Sequence, residues 1–409
     1  MLLGGKPVKR TMAEQICMIV YSYYPVDARP RREAETLASF RGRRVSVLSL
    51  KQGASPRTYQ MEGVTVRELD IGKYRGKSGL RYIASYLRFT FLAFLACTKL
   101  FLKRRIDVVH VHNLPDFLVF AAIVPRLFGK KLILDIHDTF PETYVTKFRA
   151  YSTAFQRIVF KALCLEERVC SALAHKIICV NHVQRDVLVR RGVPPEKVAI
   201  SMNVPDHHRF NLGSRKKRAR EDSEGFKIVY HGLVAERLGV DLAIRAVARL
   251  VDQIPGLEFC IWGYGEDLDE MMQLVTKLGM EDHVHLDGIL VPLDTLPVTL
   301  ADMDLGIVGN RRSAATELML PVKMLECVAL DIPVVAPRLK AIEYYFSENM
   351  VGYFEPDSID SMVSAVLKLY RSRSGREKQA ERARVFLDTH GWEKHQLDLV
   401  ELYDDLLKP

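Results

Sequence analysis

No G-x-G-x-x-G follows the first apolar segment of this 409-residue chain. Ile16–Tyr21 runs into SYYPVDARP, which lacks the glycine motif that a dinucleotide oxidoreductase needs there, with an acidic residue about twenty positions on. Cysteine is sparse and unpatterned. The 7 cysteines show no metal-ligand spacing, and Cys17, Cys164, Cys179 and Cys260 sit inside apolar segments, as core residues of a reducing compartment do. The start of the chain has no apolar h-region, so no signal peptide is expected. Long uninterrupted apolar runs are also missing: Leu80 to Leu102 comes nearest, yet Arg88 and Lys99 interrupt it, and it is not expected to cross a bilayer. No zinc or helix-turn-helix signature accompanies the basic charge, which argues against nucleic acid. No Asp-x-Asp follows a strand in a suitable place, so neither a metal nor a resident cofactor is expected.

What is present is bulk and alternation. With 48% hydrophobic residues the chain can bury two cores, and two domains of about 200 residues each are expected. Apolar, β-branched segments (Val45–Leu50, Val108–Val111, Leu132–Ile136, Ile177–Val180, Lys227–Tyr230, Leu257–Trp262, Val284–Asp287, Leu305–Val308, Pro333–Ala336) alternate with helical stretches. That order predicts an α/β fold of parallel, doubly covered sheets. The net charge of +9 gathers at Lys73–Arg105, Arg215–Arg220 and Arg371–Arg384. It suits an anionic substrate or an anionic membrane surface. RKKRAR at Arg215–Arg220 reads as a solvated linker. Leu80 to Arg105, where basic residues surround Tyr82, Tyr86, Phe89, Phe91, Phe94 and Phe101, reads either as a core helix with snorkelling ends or as an amphipathic helix on anionic lipid.

The most informative stretch is Leu320 to Pro337, LPVKMLECVALDIPVVAP: a helix opening on Pro321, then an apolar strand. A helix start offers unpaired N–H groups and a positive dipole end to a diphosphate, and Lys323 adds a full charge there. Glu326, one turn on, can accept hydrogen bonds from a ribose diol. Upstream, FKIVYHGLVAERLGV places Gly232 and Arg237 in a loop between strand and helix, where backbone can approach a phosphate. IWGYGE adds Gly263 and Gly265 at another strand end, a weak signal alone. In the N-terminal half, VVHVHNLP and LILDIHDTFPE each put a histidine at the carboxyl end of a strand, with Asn113, Asp138 and Glu142 in the following loops. Asp27 and Arg29 stand before a helix, and Arg29, Arg31 and Arg32 at its start suit an acceptor phosphate.

Taken together these segments resemble the retaining glycosyltransferases of family 4, and most closely a bacterial exopolysaccharide and capsule sub-group that writes its donor motif L-P-x-K-x-x-E. DARPRREAETL resembles the family's D-x-R-x-x-R-E-A-x-x-L opening, VVHVHNLPD and DIHDTFPE its two histidine motifs, VAISMNVPD its hinge strand, and DLGIVGN the D-x-x-x-x-P-S segment, where Asn310 falls. Departures are visible. The first Glu of the donor helix is Leu318 here, or displaced to Glu317, the Gly before x-P-V-V-A is Asp331, and the first loop has no Gly-Gly pair.

The resemblance implies a GT-B fold, two facing Rossmann-like doubly wound domains with a cleft between them. Its domains would be an unstructured start at 1–15, an acceptor-side domain at 16–207, a basic linker at 208–224, a donor domain at 225–391, and a C-terminal helix at 392–409 crossing back to the first domain. It implies a retaining, metal-independent transfer from a nucleoside-diphosphate sugar to a hydroxyl, on a polyprenyl-linked or other glycan acceptor. The expected location is the cytoplasm, with peripheral attachment to the inner membrane face. His137 would stand at the reacting centre as a hydrogen-bonding residue. Gly232, Arg237, Gly263, Gly265, Asn310, Lys323 and Glu326 would hold the donor, and Asp27, Arg29, Arg32, Asn113, Asp138 and Glu142 would face the acceptor. A nucleotide-sugar epimerase, which would release free sugar, and a non-catalytic glycan-binding protein remain as other readings.

Overall fold

The computed structural model describes residues 13–40, 42–74, 79–147, 153–210, 225–289 and 291–408. The expected unstructured start falls mostly on 1–12, and the basic run Arg215–Arg220 within 211–224; both lie outside the described residues. Glu14 and Gln15 belong to the first strand, because Glu14 pairs with Arg43 on the neighbouring strand and the Gln15 amide donates to Asp107.

Two compact units divide the chain: residues 1–180, 185–201 and 396–409, and residues 181–184 and 202–395. The first holds β1 (Glu14–Val20), β2 (Arg43–Leu50), β3 (Thr58–Met61), β4 (Val64–Leu69), β5 (Val108–His112), β6 (Lys131–Ile136), β7 (Lys176–Cys179) and β8 (Val198–Ile200). Their order across the sheet is β3-β4-β2-β1-β5-β6-β7-β8, parallel except for β3. The second holds β9 (Phe226–His231), β10 (Leu257–Trp262), β11 (Val284–Leu286), β12 (Leu305–Ile307), β13 (Val334–Pro337) and β14 (Gly352–Phe354), in the order β11-β10-β9-β12-β13-β14 and all parallel. The buried β-branched runs form these strands, as expected. β8 lies within VAISMNVPD, the segment likened to a hinge strand, whereas β3, β4 and β14 escaped the sequence reading because they alternate or span only three or four residues.

Helices clothe both sheets. They are α1 (Ala28–Ser39), α2 (Gly79–Leu102), α3 (Ile123–Leu127), α4 (Phe140–Lys147), α5 (Thr153–Leu173), α6 (His182–Arg190), α7 (Val240–Leu250), α8 (Leu268–Leu278), α9 (Leu296–Leu300), α10 (Val322–Ala329), α11 (Lys340–Tyr345), α12 (Ile359–Tyr370), α13 (Arg373–His390) and α14 (Trp392–Leu407). In each unit the strand order reverses once, beside β1 and β5 in the first and beside β9 and β12 in the second. A parallel sheet opens a crevice beyond its carboxyl edge at such a reversal, and that is where polar side chains must be sought.

Within α2, residues Arg81–Leu102 are long and apolar enough, by length and composition only, to cross a membrane, although Arg81, Arg88 and Lys99 lie along the 24-residue helix. One face, with Phe89, Ala93, Cys97 and Leu100, joins the core of the first unit, and Tyr21 meets Phe89 and Tyr86 edge to face. The other presents Ile83, Leu87, Phe91, Leu95 and Leu102 to solvent.

Candidate functional site

In the second unit, the reversal between β9 and β12 assembles most of the expected donor residues. β9 ends in His231, and Gly232 follows with φ +106°, a left-handed conformation that favours glycine. Gly263, at the end of β10, sits so close to this loop that a Cβ would lie 1.9 Å from the Gly232 carbonyl oxygen. The backbone amide of Gly232 donates to Trp262 at 2.8 Å, and that of Val234 to Tyr264 at 2.9 Å. Two loops thus lock together through their main chains, and Gly265 packs equally tightly on Val234.

Under this loop lies the start of α10. Pro321 occupies its N-cap, and no side chain caps it. Proline supplies no N–H but presets the entry, so the first amides of the helix remain available to a ligand. The Lys323 stem is half-buried while its Nζ is sealed from solvent, has no hydrogen-bond partner among the described residues, and lies 3.6 Å from the centroid of the Tyr230 ring. Burial lowers its pKa to about 7, against the pull of Glu326, and Arg237 adds repulsion. Arg237, half-buried in the turn after the Gly232 loop, makes no ion pair among the described residues. A buried ammonium without a hydrogen-bonded carboxylate is costly unless an anion completes the site.

Glu326 is buried, and its Oε2 lies 2.6 Å from His231 Nε2. One carboxylate oxygen is therefore engaged, and Oε1 makes no hydrogen bond among the described residues. Asn310, also expected among the donor residues, is fully buried and donates from Nδ2 to Met319 Sδ at 3.7 Å. Glu317, the displaced first Glu, is turned away to Arg312 and to the backbone amide of Lys340.

The first unit gathers a different set. His137 follows β6, and its Nε2 lies 3.0 Å from Asp135 Oδ2. His112, which ends β5, brings Nδ1 to 3.2 Å from the same oxygen and 3.1 Å from His137 Nε2. Arg29 grips Asp135 bidentately, Nε to Oδ2 at 3.0 Å and Nη2 to Oδ1 at 2.8 Å, and adds Glu33 at 3.1 Å and the Ser201 carbonyl at 2.7 Å. Tyr403 of α14 meets His110 Nδ1 at 2.8 Å. Burial alone would raise the Asp135 carboxyl, but Arg29 and the histidines hold it well below the usual range. Burial and His110 push His112 down, whereas Asp135 outweighs burial and raises His137.

This corrects the acceptor-side expectations. Arg29 is 3% exposed and spent on Asp135, so it offers no surface to an acceptor phosphate. Glu142 is likewise buried and, with Glu167, pairs with Arg191. Asn113 is a loop clamp: its Oδ1 accepts the His137 amide at 2.8 Å, and its Nδ2 donates to Asp116 at 2.8 Å and to the Asp138 carbonyl at 2.7 Å. Asp27, Arg32 and Asp138 keep partial exposure. Glu33, His110, His112 and Asp135 lie close enough to hold a metal ion, yet Arg29 already supplies the cation. The reading missed Asp135 and His231. A charged residue inside the apolar run LILDI was the available signal, since a carboxylate there must have a buried partner.

Comparisons with known proteins bear on the family and the fold. Residues 26–203 match the glycosyl transferase 4-like domain, and residues 225–372 match the glycosyl transferases group 1 domain. The chain is 23% identical over 192 residues to the amylovoran biosynthesis glycosyltransferase AmsK of Erwinia amylovora, covering 47% of this chain and 46% of that protein. It is 24% identical over 294 residues to the alpha-D-kanosaminyltransferase of Streptomyces kanamyceticus, covering 69% of this chain and 73% of that one. Among solved structures, sucrose-phosphate synthase from Thermosynechococcus elongatus superposes with a TM-score of 0.77 at 16% identity, over 96% of this chain and 99% of that one. HepE of Anabaena in complex with UDP gives 0.69 at 14%, over 96% and 100%.

Proposed function

From the premise that the chain belongs to the glycosyltransferases of the GT-B fold, we propose that it moves a hexose from a nucleoside-diphosphate sugar to a hydroxyl of a lipid-linked glycan, with retention at the anomeric carbon. The observation that carries the donor is Lys323: a sealed, unpartnered ammonium beside an uncapped helix start, under a glycine loop, one turn before Glu326. A diphosphate supplies the missing anion, and the ribose diol reaches Glu326 Oε1. Lys323, Arg237 and the α10 amides then stabilise the leaving diphosphate, so the reaction proceeds without a metal. Retention follows from front-face attack, in which the departing phosphate takes the acceptor proton. A glycan acceptor accords with the polysaccharide role in the name of AmsK.

The acceptor's lipid explains the outer stripe of α2. Along α5 a second stripe, Phe155, Ile158, Leu165 and Val169, is exposed, flanked by Arg157, Lys161 and Arg168. No acidic residue occurs in α2, and Lys103, Arg104 and Arg105 follow it. An apolar stripe edged by cations suits the interface of an anionic bilayer, where each basic residue contributes about 1 kcal/mol. The protein is therefore placed, in this reading, in the cytoplasm and peripherally on the inner membrane face.

Thermal-shift screening against UDP, GDP, ADP and CMP sugars, followed by transfer to a polyprenyl-diphosphate glycan and proton NMR of the new anomeric centre, tests the reaction. Release of free sugar regardless of acceptor supports the epimerase instead, and binding without turnover the glycan-binding protein. Sedimentation with vesicles tests the surface. Binding should fall with salt and with neutralisation of Arg88, Lys99, Lys103, Arg104 and Arg105 together; indifference to anionic lipid returns α2 to a core helix.

A further inference from the structure

We infer that Asp135 is a positioning residue for His137, holding its ring with Nε2–H turned inward onto the buried carboxylate. The inference rests on the transferase reading for what His137 acts upon, and on geometry for the rest. Asp135 is fully buried on β6 and anchored from the opposite side by the Arg29 fork, which has its own third anchor at the Ser201 carbonyl. A carboxylate so held has one place for Oδ2. His137 Nε2 and His112 Nδ1 converge on that oxygen at 3.0 and 3.2 Å, so both donate to it, and the 3.1 Å between the two nitrogens follows from their shared acceptor. A carboxylate accepts far better than a neutral imidazole nitrogen. His112 Nε2 is buried without a hydrogen-bond partner among the described residues, and the acceptor at Nδ1 places its single proton there. The backbone completes the clamp: Asn113 takes the His137 amide, and Asp116 with the Asp138 carbonyl fixes Asn113.

The charged and titratable groups facing this ring are Asp135 from β6, Arg29 and Glu33 from α1, His110 and His112 from β5, Asp27 before α1, and Tyr403 of α14 through His110. Arg29 and Asp135 cancel. The side chain of His137 is 22% exposed, so the clamped ring is still accessible to a ligand.

The test is nitrogen-15 NMR of the full chain labelled at histidine, with the His137 signals assigned by their loss in His137→Asn. The expected spectrum of the neutral ring shows Nε2 protonated and Nδ1 as the bare nitrogen, with a titration midpoint above about 6.5. In Asp135→Asn the midpoint should fall, and kcat should drop roughly 10- to 100-fold with the donor KM little changed. A wild-type ring protonated on Nδ1 would overturn the inference, as would an Asp135→Asn enzyme with unchanged kcat and midpoint. If that variant does not fold, the wild-type spectrum still decides. Absence of transfer from every donor in the wild-type enzyme would sink the transferase reading while leaving the tautomer result standing.

Discussion

The two polar sites of this molecule spend their arginine and lysine in opposite ways. In the first unit Arg29 is buried among Asp135, Glu33 and the Ser201 carbonyl, and every one of its nitrogens has a partner. In the second, Lys323 Nζ is sealed among Tyr230, Gly232 and the α10 start, with no hydrogen-bond partner among the described residues. A cation whose neighbours are its own chain's carboxylates holds a fold together. One denied such neighbours waits for an anion from outside. The same residue class at the same kind of sheet reversal therefore carries structure in one place and binding in the other.

The largest effect should come from breaking the satisfied site. Arg29→Met leaves Asp135 buried with only histidines to compensate, and removal of one partner from a buried pair costs about 3–5 kcal/mol. Chemical denaturation should show a loss of that order in the first unit. A loss below about 1 kcal/mol would mean the network is solvated and that Arg29 is not committed to it.

Lys323→Met reverses the sign. The apo protein should be as stable as the parent or more so, because a desolvated ammonium is replaced by an apolar chain of similar length. Nucleoside-diphosphate affinity should fall by about 2–3 kcal/mol, roughly 30- to 160-fold, with nucleoside affinity unchanged. Calorimetry with both ligands checks this, and equal losses for the two would assign Lys323 to folding rather than to phosphate.

Much of this contrast was legible beforehand, and the part that was not has a physical reason. The buried runs around Ile16, Val229 and Val335 announce parallel strands because strands covered on both faces read as near-continuous apolar, β-branched-rich runs. Lys323 and Glu326 stand out because a helix start is local. Whether a charge is satisfied is not local: Arg29 and Asp135 are 106 residues apart. An arginine at a helix start reads as a ligand for phosphate until the fold brings a carboxylate to it. Glu142, paired with Arg191, was misread for the same reason.

Glu326→Ala should have a smaller effect than a fully available carboxylate would give, since His231 holds Oε2. One charge-assisted bond to the ribose is then at stake, about 1.5–2 kcal/mol in kcat/KM, and a deoxyribose donor should reproduce most of it without mutation. His231→Ala frees the carboxylate to rotate and should raise donor KM by less than Glu326→Ala does. If instead the two variants and the deoxy donor show additive losses, Glu326 and His231 do not share one ribose contact.

The smallest signal is the sharpest on the contrast itself, because it counts protons. Lys323 has a folded-state pKa of about 7 against 10.5 for a free lysine, with burial as the first cause. Between those values the unfolded chain carries more protons than the native one, so stability should rise with pH across that window, and below it the full penalty of the buried charge is present. A diphosphate bound at Nζ favours the ammonium and restores the proton. At pH 8 the apo amine is mostly neutral, so nucleoside-diphosphate binding should take up close to one proton, declining toward none as pH falls through 6. Calorimetry in buffers of different ionisation enthalpy reads this number directly. In Lys323→Met the uptake should vanish, whereas in Asp135→Asn it should persist, because the proton belongs to the unpartnered cation and not to the paired network. Uptake that survives in Lys323→Met would place the titrating group elsewhere and remove the distinction between the two sites.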